Sequence, residues 1–141
     1  MKSFLDTSVL VAAFTEDHEQ HSASFALLSH CTKEQACCGA HTLAEVYSAL
    51  TGRPGNSRAN QDEALLFLAD VREQLTIIAL TDVEYFEAMK TSAALGIIGG
   101  GIYDSLLGQM ALKSGAGKIY TWNTKHFTRL GPEIASRVTT P

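Results

Sequence analysis

The chain has 141 residues, 45% hydrophobic and 18% charged, with three cysteines; it is long enough for a single domain, residues 1–141, that needs no covalent staples, and its composition is that of a soluble globular protein. No apolar run would span a bilayer, the opening Met1-Lys2-Ser3-Phe4-Leu5-Asp6 lacks a signal-peptide core, and Cys31, Cys37 and Cys38 suit neither a disulfide framework nor a zinc site, so a cytoplasmic protein with buried free thiols and no membrane contact is expected. The formal net charge of −4 counts against gripping a nucleic-acid backbone by charge alone, unless acids are gathered at a metal site whose cation inverts the local field. A strand is predicted at Lys2–Leu5, a helix over Thr7–Phe14, a second helical stretch from about Glu19 to His30, and a short buried strand at Ala36–Ala40. Thr42–Leu50 carries Leu43, Val46, Tyr47 and Leu50 at helical spacing. After the loop Thr51–Asn60, the helix Gln61–Gln74 repeats that pattern through Ala64, Phe67, Leu68 and Val71, with Leu75 beyond it, before a third strand at Thr76–Leu80. Thr81 opens the next helix with a capping box closed by Glu84, and its apolar face is expected to carry Phe86, Met89 and Ala93. Gly96 and Gly99-Gly100-Gly101 end it; Ile102–Ser114 is another helix, Lys118–Trp122 a fourth strand, and Val138 belongs to a short last one.

Strands alternating with helices predict an α/β fold on a mostly parallel sheet of four or five strands, which binds ligands at the carboxyl ends of its strands. Asp6 directly follows the first strand and Asn123 the fourth. Glu45 is expected in the first turn of the helix after the second strand. Asp104 lies in the first turn of the helix that leads back to the fourth strand, and such a helix starts at the carboxyl edge. Four oxygen-bearing side chains therefore fall on one rim. Three crowded carboxylates repel one another and raise at least one pKa, a conflict that a hard cation such as Mg²⁺ or Mn²⁺ removes.

Each position also has a structural role open to it. Asp6 is an acceptable N-cap. Glu45 closes the capping box Thr42-Leu43-Ala44-Glu45 and lies opposite the apolar face. Asp104 is an acid at a helix start, although Leu107, Gly108 and Ala111 continue its row as a packing face. Asn123 suits a turn. Periodicity and spacing leave both a metal site and a set of caps open.

Four motifs in order carry a resemblance: Phe4-Leu5-Asp6-Thr7-Ser8-Val9-Leu10, His41-Thr42-Leu43-Ala44-Glu45-Val46-Tyr47, Tyr103-Asp104-Ser105-Leu106-Leu107, and Tyr120-Thr121-Trp122-Asn123-Thr124-Lys125-His126-Phe127. Together they resemble PIN-domain ribonucleases, and among these the toxins of VapC type from type II toxin–antitoxin pairs. The resemblance implies a three-layer α/β/α sandwich, hydrolysis of RNA with Mg²⁺ or Mn²⁺, a homodimer and an antitoxin partner. It assigns Asp6 and Asp104 as principal metal ligands and Glu45 as the third acid, which binds metal or orients the attacking water. Asn123 stands where many members carry a fourth acid. Ser8 and Thr121 match positions whose hydroxyls hold a ligand in place. Candidates for the RNA backbone are Arg53, Arg58, Lys125, His126 and Arg129; His126 is also open to a packing role beside Phe127, and His41 to a helix-entry role.

Two rivals stand beside this reading. One is a PIN-like module without catalysis that binds RNA or protein. The other is a receiver-type phospho-acceptor domain, whose chemistry wants an acidic pair after the first strand, whereas Asp6 is followed by Thr7.

Overall fold

Asp6 interrupts the first strand and caps the first helix, so β1 is only Ser3–Leu5 and α1 runs Thr7–Phe14. In the computed structural model, which describes all of residues 1–141, there follow α2 (His21–Ser29), β2 (Ala36–Gly39), α3 (Ala40–Thr51), a 3-10 turn (Gly55–Ser57), α4 (Gln61–Gln74) and β3 (Thr76–Ile78). The second half holds α5 (Asp82–Ala94), α6 (Gly101–Ser114), β4 (Lys118–Tyr120), α7 (Thr124–Thr128), α8 (Pro132–Ala135) and β5 (Val138–Thr139). The five strands lie in the order β3-β2-β1-β4-β5, and every pairing is parallel.

A parallel sheet needs crossovers that cover both of its faces, so its central strands are apolar throughout. Successive side chains of a strand point to opposite faces. Leu5 and Cys38 accordingly join one core with Val9, Leu10, Val46, Leu50 and Val71, under α1 to α4. Phe4 and Cys37 join the other with Leu107, Met110, Ile119, Phe127 and Ile134, under α5 to α8. The result is the three-layer α/β/α arrangement. Gly39 permits it locally: a Cβ there would lie 2.6 Å from Met110 Sδ and 3.0 Å from Leu107 Cδ2 and would push these packed side chains of α6 aside.

Several boundaries differ from the sequence reading. The strand expected to reach Ala40 stops at Gly39, which caps α3 without a side-chain bond. The capping box from Thr42 to Glu45 therefore does not form. Thr42 is fully buried in the second position after the helix start, its hydroxyl without a partner. The capping box of α5 is present, with Glu84 N donating to Thr81 Oγ1 at 3.2 Å and Thr81 N to Glu84 Oε1 at 2.9 Å. The apolar face assigned to α5 is inverted. Ala88 and Ser92 are buried, whereas Phe86 and Met89 are 61% and 45% exposed and Ala93 is exposed too. Helical spacing shows which residues share a face and not which face is inward. Here the small side chains let α5 lie close, and the bulky ones turn outward.

Candidate active site

The chain leaves β1 toward β2 on one side, while β4 lies on the other, so the sheet changes direction between β1 and β4. In parallel sheets the crevice at the carboxyl ends of such a pair is where ligands bind. Asp6 stands there. Its backbone N–H donates to Tyr120 O at 2.9 Å, which joins the two strand ends. Its side chain is buried, and Oδ2 accepts from Thr121 Oγ1 at 2.8 Å and from Ser8 Oγ at 2.9 Å, with a longer contact of 3.5 Å from Ser8 N. Each hydroxyl in turn accepts a backbone proton: Ser8 Oγ from Trp122 N at 2.9 Å, and Thr121 Oγ1 from Asn123 N at 2.9 Å. The hydroxyl protons are thereby turned toward Asp6, and Oδ2 is held from behind. Oδ1 takes none of these bonds. Asp6 is thus the N-cap of α1 and a buried carboxylate facing a crevice at once; the cap and site roles do not exclude each other.

Glu45 comes from the second turn of α3 and accepts from Thr7 Oγ1 at 3.0 Å. Asp104 sits in the first turn of α6, with His126 Nδ1 3.5 Å from its Oδ2. The row Leu107, Gly108 and Ala111 behind Asp104 is buried, so the acid marks the place where a packing face meets the crevice. Burial pushes the Asp6 carboxyl above the usual carboxylate range, against the Thr121 and Ser8 hydrogen bonds that lower it, and the charge of Asp104 adds to the rise. Burial likewise raises Glu45; the Thr7 bond and His41 oppose it, and the charges of Asp6 and Asp104 reinforce it. Burial raises Asp104 too, opposed by His126 and Arg129. All three acids are thus pushed toward the protonated form, chiefly by burial, and Asp6 and Glu45 also by the charge of Asp104.

They do not form a finished shell: no three His, Cys, Asp or Glu side chains are grouped so as to hold one ion. The expected three-carboxylate cluster is in this respect looser than the spacing suggested. Each acid has its own partner, Ser8 and Thr121 for Asp6, Thr7 for Glu45, and His126 for Asp104. Asn123 stands at the rim as the residue before α7, exposed, with no side-chain cap bond; only its backbone joins the network.

Of the cationic candidates, Arg129 lies at the site. Its guanidinium covers Gly101 at the start of α6, 2.7 Å from where a Cβ would stand, and its charge reaches Asp104. Lys125 is exposed next to the rim on α7. Arg53 and Arg58 follow the far end of α3, away from Glu45. Arg58 Nε donates to Arg53 O at 2.7 Å, and Arg53 lines a recess with Glu16, Asp17 and Glu63. Nothing brings this pair to the acids. Of the two roles open to His126, packing is the one not seen, since its side chain is 58% exposed and meets Asp104. It falls in the turn of α7 that follows Asn123, a position at the sheet rim, and that was its signal. Thr7 had none, because its bond to Glu45 spans 38 residues.

The donor chemistry suits a hard divalent cation. All the convergent ligands are oxygens, two of the acids lie at the adjoining ends of β1 and α6, and positive charge would relieve the raised carboxyl pKa values. Mg²⁺ is commonly held by one or two carboxylates with waters, which does not call for three protein ligands.

Comparison with known proteins gives the family. Residues 3–131 match the PIN domain family. The chain belongs to the PIN-domain family. This PIN domain is 32% identical over 103 residues to ribonuclease VapC27 of Mycobacterium tuberculosis, covering 73% of the chain and 72% of the relative. It is 34% identical over 111 residues to ribonuclease VapC40 of the same organism, covering 79% of each. Among solved structures it resembles Mycobacterium tuberculosis VapC20, a toxin that cleaves the sarcin–ricin loop, with a TM-score of 0.71 at 17% identity over 89% of this chain and 92% of that one. It also resembles VapBC2 of Rickettsia felis bound to promoter DNA, with a TM-score of 0.67 at 19% identity over 100% and 99% of the two chains. These structural likenesses speak for the fold. Membership of the PIN family removes the receiver-type rival. No helix is long and apolar enough to cross a membrane.

Proposed function

We propose that this PIN domain is a divalent-metal-dependent ribonuclease that hydrolyses RNA phosphodiester bonds, and that it is the cytoplasmic toxin of a VapBC-type toxin–antitoxin pair, acting as one domain over residues 1–141. The observation that carries the reading is the buried Asp6 carboxylate, held through Oδ2 by two hydroxyls at the β1–β4 crevice and coupled in charge to Asp104 and Glu45. The curated relatives that cover most of the chain are named ribonucleases, and that supports the same chemistry here.

In this reading Asp6 and Asp104 hold Mg²⁺ or Mn²⁺. Such an ion neutralises charge on a phosphate and makes a water molecule more acidic. Ser8 and Thr121 keep Asp6 fixed, so its free oxygen is already placed. Glu45, with its raised pKa, accepts the proton of the attacking water as the new O–P bond forms and the P–O bond to the leaving nucleotide breaks. Asn123 offers a neutral amide for water at the rim. Arg129, Lys125 and His126 supply positive charge to the RNA strand on the Asp104 side.

A second copy covers the outward face of α5, where Val83, Phe86 and Met89, with Leu95 and Ile98 beyond the helix, are exposed apolar residues. The VapBC structures among the fold neighbours contain such a toxin with its antitoxin, and an antitoxin segment is the partner proposed for the apolar groove lined by Ala13, Phe14, Phe25, Leu28 and Phe67. Asp6→Asn tests the catalytic reading: it should abolish cleavage of total RNA in Mg²⁺ or Mn²⁺ while the circular dichroism spectrum is unchanged. Cleavage at the wild-type rate, with contaminating nuclease excluded, refutes it.

A further inference from the structure

Two aromatic rings stand among the acids and make no hydrogen bond to them. His41 stands in the first turn of α3, one helical turn before Glu45. Tyr103 stands in the first turn of α6, next to Asp104 in the chain. The two rings stack with centroids 5.2 Å apart and planes inclined by 14°. The stack therefore bridges the helix starts that supply two of the three acids. Tyr103 is also 49% exposed. A tyrosine placed only for packing would bury more of its ring, because ring burial is the source of its stabilisation. Here one ring is backed by another in a residue that stays half exposed, on the helix turn that carries Asp104.

We propose that Tyr103, backed by His41, is a stacking platform for a nucleobase next to the scissile phosphate, and so a residue that positions the RNA strand for cleavage. The inference rests on the ribonuclease reading and adds to it a residue that positions the substrate. Unstacked bases are commonly held on aromatic side chains, with little regard to sequence. A ring already fixed by a neighbour loses little freedom when a base lands on it. The arrangement also answers the acidic net charge of −4, since stacking holds RNA without drawing on phosphate contacts. His41 is a positioning residue in this scheme, because it acts through the Tyr103 ring.

The test uses a short unstructured oligoribonucleotide with a central 2-aminopurine, whose fluorescence falls when its base is stacked. It is titrated in Mg²⁺ into wild type, Tyr103→Leu, Tyr103→Phe and His41→Phe, with gels to confirm that the probe is intact when read. Wild type should bind and quench. Tyr103→Phe and His41→Phe, which keep both rings, should quench as wild type does. Tyr103→Leu should bind roughly 5- to 150-fold more weakly, the range seen for loss of one base–aromatic stack, and should lose the quench. A folded Tyr103→Leu that keeps affinity and quench overturns the proposal, as does a wild type that binds the probe without quenching or does not bind it. Failure of the nuclease reading shows separately, as wild-type protein that quenches the probe yet never cuts RNA.

Discussion

Thr121→Val removes one hydroxyl and almost no volume, and it tests the network behind Asp6. The lost contact is the 2.8 Å bond from Thr121 Oγ1 to a buried carboxylate oxygen. A hydrogen bond to a charged group contributes about 1.5–3 kcal/mol. The Asn123 N–H loses its acceptor as well, but Asn123 is exposed and water can replace that partner. An unfolding entropy near 2.1 cal/mol/K per residue gives about 0.3 kcal/mol/K for this length, so Tm should fall by roughly 5–10 °C. Affinity for Mn²⁺ should drop about 10- to 100-fold, the usual cost of losing a partner of a metal ligand. Thermal melts with and without metal, together with a Mn²⁺ titration, measure both effects. Ser8→Ala strikes the same oxygen, so the double variant should lose less than the sum of the two. A Thr121→Val protein that melts with wild type and binds Mn²⁺ as tightly would show that the hydroxyl network does not fix Asp6.

Two other outcomes follow from the same geometry. Asp6, Glu45 and Asp104 have pKa values raised from ordinary values of 3.8 for Asp and 4.5 for Glu, so between the unfolded and folded values the native state binds more protons; this contribution to stability is complete below the unfolded values and is lost as pH rises through the raised ones. Metal-free wild type should therefore lose ground to metal-free Asp6→Asn as pH rises from acid to neutral, and Mg²⁺ should restore it; a Tm difference independent of pH would contradict the shifts. Arg129→Gln should weaken RNA binding and lower the log–log salt slope by about one, whereas Arg58→Gln should change neither, and equal effects in salt titrations of the two variants would remove Arg129 from the RNA path.

The rim placement of the acids was legible because it needs only strand order and the rule that a helix before a parallel strand starts at the carboxyl edge. The core faces of α3 and α4 were legible for a similar reason, since Val46, Leu50, Ala64, Leu68 and Val71 are apolar and inward. Two kinds of information were not. One is the choice of face when both are tolerable: α5 offers small residues on one side and Phe86 and Met89 on the other, and local spacing cannot say which meets the sheet. The other is contact between residues remote in sequence. Thr7 and Glu45, His41 and Tyr103, and Asp104 and His126 meet only because α1, α3, α6 and α7 begin around one crevice. The start of α3 differs for a local reason, because Gly39, the last residue of β2, is already the N-cap of the helix.

Cys37 and Cys38 point into different helical layers of the sandwich. Burial holds the Cys38 thiol up at about 12 and raises Cys37 as well, so neither is a ready nucleophile in the native protein. Adjacent in the chain yet separated by the sheet, they make a natural pair of alkylation clocks. An opening of the α1–α4 side alone would mark Cys38, an opening of the α5–α8 side alone would mark Cys37, and concerted unfolding would mark both at one rate.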